Sequence, residues 1–80
     1  MKAVVLIRPK DGILDPQGDA VRQSLRKLGF DVSAARVGRL VDLELAEGDA
    51  AEAAAAVEKM CAELLANPLI ESFEIRIEDE

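Results

Sequence analysis

The hydrophobic and polar positions of the chain alternate with two different periods, and these periods predict its elements. Residues 3–7 form the apolar run AVVLI, which Pro9 stops. A short run that is apolar on both sides predicts a strand covered on both faces, by a helix on one and by another subunit on the other. Residues 69–78 alternate apolar and polar positions, with Glu71 as the exception on the apolar side. This pattern predicts a strand with one wetter face.

A first amphipathic helix is predicted after the first strand. Asp15 is its expected N-cap, Pro16 occupies the first helical position, and Gly29 ends it. The apolar stripe of this helix is predicted to face the sheet, and it consists of Val21, Leu25 and Leu28.

A second helix is predicted from Asp49 to about residue 66. Asp49 and Glu52 form a variant of the capping box. The helix should end at Asn67-Pro68, because Asn tolerates a left-handed cap and Pro cannot continue a helix. Its predicted apolar stripe consists of Ala53, Val57, Met60, Cys61, Leu64 and Leu65.

Residues 30–46 have a strand-like pattern whose phase changes. The inward positions are predicted to be Phe30, Val32 and Ala34 before the change and Val37, Val41, Leu43 and Leu45 after it. We expect a bulge or sharp bend at residues 35–38, with Gly38 as the permissive residue. The segment is either two short strands or one bent strand that projects past its sheet and offers an edge to a second copy.

The elements therefore follow the order β-α-β-(β)-α-β. This order predicts a single α+β domain over residues 1–80, built as a two-layer sandwich. The sheet should be small and mainly antiparallel with two helices on one face, in a ferredoxin-like arrangement or near it.

Composition adds an expectation of assembly. Half of the 80 residues are hydrophobic, which is high for so small a chain and favours self-association; the many alanines offer a simpler explanation. The net charge of −6 argues against nucleic acid and membranes as partners. Residues 1–40 carry eight basic and four acidic residues, and residues 41–80 carry two and twelve. The N-terminal segment is too short for a signal peptide, and Cys61 is the lone cysteine, so we expect a cytoplasmic protein.

The usual catalytic groups are missing. The chain has no His, Tyr or Trp, and Cys61 lies on a predicted buried stripe without a histidine to activate it. Gly12 precedes a predicted helix and Gly18 lies in its first turn, where glycines are found in phosphate-binding sites. Their spacing fits neither the G-x-G-x-x-G motif nor the Walker motif, and Asp15 would place a carboxylate where the phosphate binds. A glycine within a helix instead favours close approach by another backbone. We predict no catalytic, cofactor-binding or metal-binding residue.

Contact residues are the remaining candidates. Four basic side chains near strand ends are expected to form one patch, facing a dimer partner or the solvent rather than a ligand. With two glycines and the asparagine that ends the second helix, the candidate contacts for a partner or for self-assembly are Arg8, Lys10, Gly18, Arg36, Gly38, Arg39 and Asn67.

Four segments, taken in order, resemble the PurS family, the small subunit of phosphoribosylformylglycinamidine (FGAM) synthase. These segments are residues 15–18 (DPQG), 28–32 (LGFDV), 36–39 (RVGR) and 64–71 (LLANPLIE). Each is common alone, whereas the ordered set spans nearly the whole chain.

The resemblance implies a role in de novo purine synthesis without catalysis by this chain. In such complexes a glutaminase subunit releases ammonia and a synthetase subunit uses ATP and Mg²⁺. The small subunit, as a dimer or tetramer, is expected to bridge them and to assist ammonia transfer, and it is expected to bind no cofactor itself. The alternative, from another class, is a regulatory module of ferredoxin-like fold that senses a small molecule.

Overall fold

The computed structural model describes residues 1–46 and 48–78. Its elements are β1 (Lys2–Pro9), α1 (Pro16–Lys27), β2 (Arg39–Glu44), α2 (Ala50–Met60) and β3 (Glu71–Glu78). The helix α2 continues directly into a π-helical turn over Cys61–Leu65. The predicted α+β sandwich is confirmed, and the described residues form three strands without the optional fourth.

The sheet is antiparallel with the strand order β2-β1-β3, so that β1 lies in the centre. Val5 of β1 lies opposite Val41 of β2 and Ile75 of β3. Because side chains alternate along a strand, the odd-numbered residues of all three strands share one face. The helix α2 covers this face, and the even-numbered residues form a second face, which we call the open face.

The core lies between α2 and the odd-numbered face. Its buried residues from β1 and α2 include Val5, Ile7 and Val57, and Cys61 from the π-helical turn is also fully buried. Half-buried residues from β2 and β3 complete this layer: Val41, Leu43, Leu45, Ile75 and Ile77. The prediction that the first strand is covered by a helix on one face is therefore confirmed.

The second helix agrees with its predicted limits and departs from its predicted stripe. The side chain of Asp49 caps it by accepting a hydrogen bond from the Ala51 N–H at 3.0 Å. The π-helical turn, closed by the bond from the Ala66 N–H to the Cys61 carbonyl at 3.0 Å, changes the rotation per residue. Leu64, predicted to be inward, is consequently 84% exposed; Met60, also predicted to be inward, precedes the turn and is 37% exposed.

The first helix begins and ends where predicted, but its apolar stripe does not pack against the sheet as predicted. Asp15 caps it, Pro16 begins it, and Gly29 follows it with φ +97°. Val21 and Leu28 of its stripe remain 41% and 73% exposed. The prediction that this stripe faces the sheet of the same chain is therefore wrong, because α2 alone packs on the sheet.

Residues 28–38 turn back from the end of α1, and together with α1 they form what we call the arm. The N–H of Phe30 bonds to the Leu25 carbonyl at 3.1 Å, and the segment then returns so that Ala35 lies beside Gly18. The arm makes the molecule long and thin, with extents of 48, 28 and 14 Å.

The bend in residues 30–46 comes earlier than at the predicted residues 35–38. The chain bends at Ser33, and the positions predicted to be inward at Phe30 and Ala34 are exposed. Residues 30–38 form no strand, and the single strand β2 begins only at Arg39. Gly38 is needed for a different reason from a bulge, since a Cβ atom there would lie 2.1 Å from the carbonyl oxygen of Ile7.

Candidate functional site: the junction at one end of the sheet

Six of the seven predicted contact residues gather where β1 ends and where β2 and β3 begin. They are Arg8, Lys10, Arg36, Gly38, Arg39 and Asn67. The seventh, Gly18, lies in the first turn of α1 and reaches the same region through Ala35. We call this region, residues 8–15, 35–39 and 65–71, the junction.

Asp15 joins the start of α1 to the returning segment of the arm with both of its carboxylate oxygens. Its Oδ1 accepts the Gly18 N–H at 3.0 Å and caps α1. Its Oδ2 accepts the Val37 N–H at 2.9 Å. These two bonds to the charged form lower the pKa of Asp15 below its ordinary value of 3.8. The sequence predicted the cap, whereas the bond to Val37 depends on a contact that only the fold creates.

Gly18 allows the backbone of the returning segment to approach α1. A Cβ atom at this position would lie 2.3 Å from the carbonyl oxygen of Ala35. The sequence-based prediction of close backbone approach at Gly18 is therefore confirmed. The approaching backbone belongs to the same chain, so Gly18 shapes the arm from within.

Two basic side chains fasten the loop after β1. Arg36 Nη1 donates to Asp11 Oδ1 at 2.8 Å, and its other terminal nitrogen donates to the Pro9 carbonyl. Lys10 Nζ donates to the Pro68 carbonyl at 2.7 Å and so connects this loop with the turn before β3. These contacts lie at the surface, where they fix loop positions more than they add stability.

Arg39 connects the two outer strands across the end of β1. Its Nη2 donates to the carbonyl of Leu65 at 2.8 Å and to Glu71 Oε1 at 3.1 Å. The first of these bonds places a positive charge at the C-terminal end of the helical segment, where the helix dipole favours it.

Glu71 is the residue that sequence reasoning missed. Its Oε1 accepts the Asn67 N–H at 2.8 Å, and its side chain is only 16% exposed. This backbone bond, followed by the hydrogen bond and the charge of Arg39, lowers the pKa of Glu71 below its ordinary value. The available signal was its position as the one acidic residue on the apolar side of the last strand.

Asn67 ends the helical segment in a different way from the one predicted. No described residue other than glycine has a positive φ, so the expected left-handed cap is absent. Instead, Asn67 Oδ1 accepts the Leu69 N–H at 3.1 Å and its carbonyl accepts the Glu71 N–H at 2.8 Å. The asparagine therefore forms the turn that aims Glu71 at Arg39.

Three of the four basic residues, Arg8, Arg36 and Arg39, line a shallow cleft of about 510 Å³ beside Leu6 and Leu40. Arg36 and Arg39 reach it while already paired with carboxylates. Two of the four residues of the predicted basic patch, Arg36 and Arg39, are thus held in ion pairs within the chain, which favours a contact surface over an anion site.

The described part of the chain offers few groups that could take part in catalysis. Burial, followed by the charge of Glu58, raises the pKa of the Cys61 thiol, so it stays protonated at neutral pH. Among residues 1–46 and 48–78, no three potential ligands could hold a metal ion. No described helix combines the length and apolarity needed to span a bilayer.

Fold and junction together define a small α+β protein whose distinctive residues build contact surfaces. The family model for PurS, described as phosphoribosylformylglycinamidine (FGAM) synthase, matches residues 2–79. The chain belongs to the PurS family.

Its similarity to individual relatives extends over nearly the whole chain. It is 36% identical to the FGAM synthase subunit PurS of Methanocaldococcus jannaschii over 78 residues, covering 96% of this chain and 94% of that protein. The crystal structure of the same relative matches with a TM-score of 0.87, covering 99% and 96% of the two chains. A chain in the PurLQS structure from Thermotoga maritima is 32% identical with a TM-score of 0.87, covering 94% and 93%.

Proposed function

We propose that this chain is the small, non-catalytic subunit of the FGAM synthase complex of de novo purine biosynthesis. The observation that carries the proposal is the family match over residues 2–79. The protonated, buried Cys61 and the use of arginines in internal ion pairs support a role in assembly over one in chemistry.

Within the complex, the chain bridges the glutaminase and synthetase subunits and assists the transfer of ammonia between them. ATP and Mg²⁺ bind to the synthetase subunit and not to this chain. The complex works in the cytoplasm, and neither nucleic acid nor a membrane is a partner, in keeping with the net charge of −6.

The arm is the surface through which this subunit binds a second copy of itself. Its stripe leaves Val21 and Leu28 substantially exposed, and Phe30 beside it is 59% exposed. Residues 30–38 precede β2, which among the described residues pairs only with β1, so that its outer edge is open. A second copy that covers the stripe and extends the sheet at β2 would bury this apolar surface and satisfy the unpaired edge.

Reconstitution tests the role in the complex. The synthetase and glutaminase subunits should show glutamine-dependent amidation only when this chain is added, while ammonia-dependent amidation by the synthetase should change little. Equal glutamine-dependent rates with and without the chain would contradict the proposal.

Matched charge substitutions on α1 test the arm contact. Val21→Glu places a charge on the stripe and should shift the sedimentation coefficient toward that of a monomer. Gln23→Glu adds the same charge on the opposite side of the helix and should leave the sedimentation coefficient unchanged. Indistinguishable behaviour of the two variants would exclude the stripe as the contact surface.

A further inference from the structure

The open face of the sheet and the apolar stripe of the arm are both uncovered, and both belong to one chain. Val4 and Leu6 lie half-buried in the centre of the open face, and Leu40 opposite Leu6 is 58% exposed. Among the described residues, α1 makes no substantial contact with a strand or with α2. We propose that the arm folds back as a lid over the open face of its own chain. A free chain then alternates between the extended form seen in the structure and a closed form.

The arm can move as one body because its tight contacts are internal. Asp15 accepts the Val37 N–H at 2.9 Å, and Gly18 lies against the backbone of Ala35, so α1 and the returning segment stay together. Residues 10–14 and Gly38 join this body to the sheet. The first of these connections contains Gly12, with φ +83°, where a Cβ atom would meet no other atom within 4 Å. This loop therefore has room to change direction.

Arg36 is the side chain that holds the arm extended. It belongs to the arm, and it donates to Asp11 at 2.8 Å and to the Pro9 carbonyl, both beyond the arm. The side chains of the ion pair are 45% and 98% exposed. Exposed ion pairs contribute little to stability, so the loss of this pair on closure costs little.

The lengths of the two elements place the stripe on the apolar centre of the open face. A helix rises about 1.5 Å per residue and a strand about 3.3 Å. With the first residue of α1 over Arg8, Val21 is about 7.5 Å along the helix and lies over Leu6. Leu25 is about 13.5 Å along the helix and lies over Val4. The two spacings therefore bring the stripe onto the even-numbered apolar positions of β1.

Charge favours the same direction of folding. One acidic residue lies in the first turn of α1, and three basic residues follow it: Arg22, Arg26 and Lys27. Closure places them over the part of the open face that surrounds residues 2–6 of β1. Four acidic and two basic side chains lie there: Asp42, Glu44, Glu74 and Glu78, with Lys2 and Arg76. The helix is thus net positive and this part of the face is net negative, so the two surfaces attract each other.

Closure would act as a switch on assembly. A larger subunit could offer a helix to the open face, but α1 is tethered beside it and reaches it at a high effective concentration. The closed form hides the apolar stripe, which is also the proposed contact surface for a second copy. In a free chain the two forms exchange, so α1 is covered for part of the time, and partners draw the population to the extended form. Closure needs only one chain, so it is tested separately from the role in the FGAM synthase complex.

Single-molecule fluorescence transfer tests closure in chains too dilute to associate. Dyes are attached at Lys2→Cys and Lys27→Cys, since the native Cys61 is buried and escapes labelling. In the closed form Lys27 is about 16.5 Å along the helix and lies over the start of β1, near the first dye. In the extended form α1 projects from the other end of a molecule 48 Å long. We expect two populations, one of high and one of low transfer efficiency. A single population of low efficiency would overturn the proposal.

Matched charge substitutions show whether the stripe makes the closed contact. Val21→Glu would bury a charge against Leu6 and should reduce the high-efficiency population by about tenfold. Gln23→Glu adds the same charge on the opposite side of the helix and should leave that population unchanged. Equal populations in the two variants would exclude closure through the stripe.

Disulfide trapping tests the register. In a dilute chain that carries Val21→Cys and Leu6→Cys, oxidation should give a disulfide within one chain, detected as a product of monomer mass without free surface thiols. The pair Gln23→Cys and Leu6→Cys should react about tenfold more slowly, because its helix position points away from the sheet. Circular dichroism of each variant confirms that it is folded. Products of dimer mass only, or equal rates for the two pairs, would overturn the proposal.

Discussion

Replacing Gly18 with alanine sets two effects of opposite sign against each other. Alanine is the better helix former, and within a helix it gains up to about 1 kcal/mol over glycine. Its Cβ atom, however, would lie 2.3 Å from the carbonyl oxygen of Ala35 and 2.5 Å from Oδ2 of Asp15. The packing against Ala35 therefore decides whether the substitution raises or lowers the free energy of unfolding.

The required movement follows from the distances. Cβ contacts below 3.0 Å are essentially absent from real proteins, so the Ala35 backbone must retreat by about 0.7 Å. The neighbouring Val37 N–H is held by Asp15 at 2.9 Å, and a retreat of that size carries it beyond normal hydrogen-bonding distance. Overpacking of this kind costs about 1 to 3 kcal/mol. After the gain in helix propensity, we expect a net loss of about 1 kcal/mol in the free energy of unfolding.

Thermal and urea unfolding, followed by circular dichroism, measure this loss. In a chain of this size it corresponds to a fall in Tm of about 4 to 8 °C. Ser24→Ala is the matched control, because Ser24 is an exposed residue of the same helix and should be neutral or slightly stabilised. Chain concentration must be equal for all variants, since assembly contributes to apparent stability. A Gly18→Ala variant as stable as the wild type would refute the close approach of Ala35.

Three further changes probe the junction. Gly38→Val, whose side chain would collide with the Ile7 carbonyl, should weaken self-association in sedimentation while helix content stays constant; an unaltered oligomer would contradict this. Asp15 has a lowered pKa, so its charged form stabilises the fold above pH 3.8 and loses this effect as the pH falls through the lower folded value. Asp15→Asn should therefore flatten the dependence of the urea midpoint on pH below pH 3.8, and an unchanged slope would exclude this role. Arg39→Ala should lower the free energy of unfolding, measured with urea, by about 1 kcal/mol, and by much less in a chain that also carries Glu71→Gln. Equal losses with and without Glu71→Gln would show that Arg39 and Glu71 are not coupled.

Local signals in the sequence predicted the local structure well. The caps at Asp15 and Asp49 and the glycine stop at Gly29 depend on neighbouring residues only, and the structure confirms all three. The close approach at Gly18 was also predictable, because a buried helical glycine needs such a reason.

These local signals could not predict which surface packs against the apolar stripe of the first helix. A stripe such as Val21 to Leu28 shows that a helix has an apolar side, and it does not show which chain covers that side. Glu71 was hidden for a related reason: its partner Arg39 is distant in sequence and two strands away in the sheet. Contacts between distant residues define the junction, and hydrophobic periodicity carries no information about them.

The uncovered arm also affects how long a single chain survives. A helix of 12 residues, the length of α1, is marginal in water without packing. A chain made in excess of its partners would therefore unfold locally at α1, and its exposed apolar side chains would direct it to proteases. The arm would in this way match the supply of the chain to the amount of its partners, and limited proteolysis at decreasing chain concentrations should show the first cuts within residues 16–38.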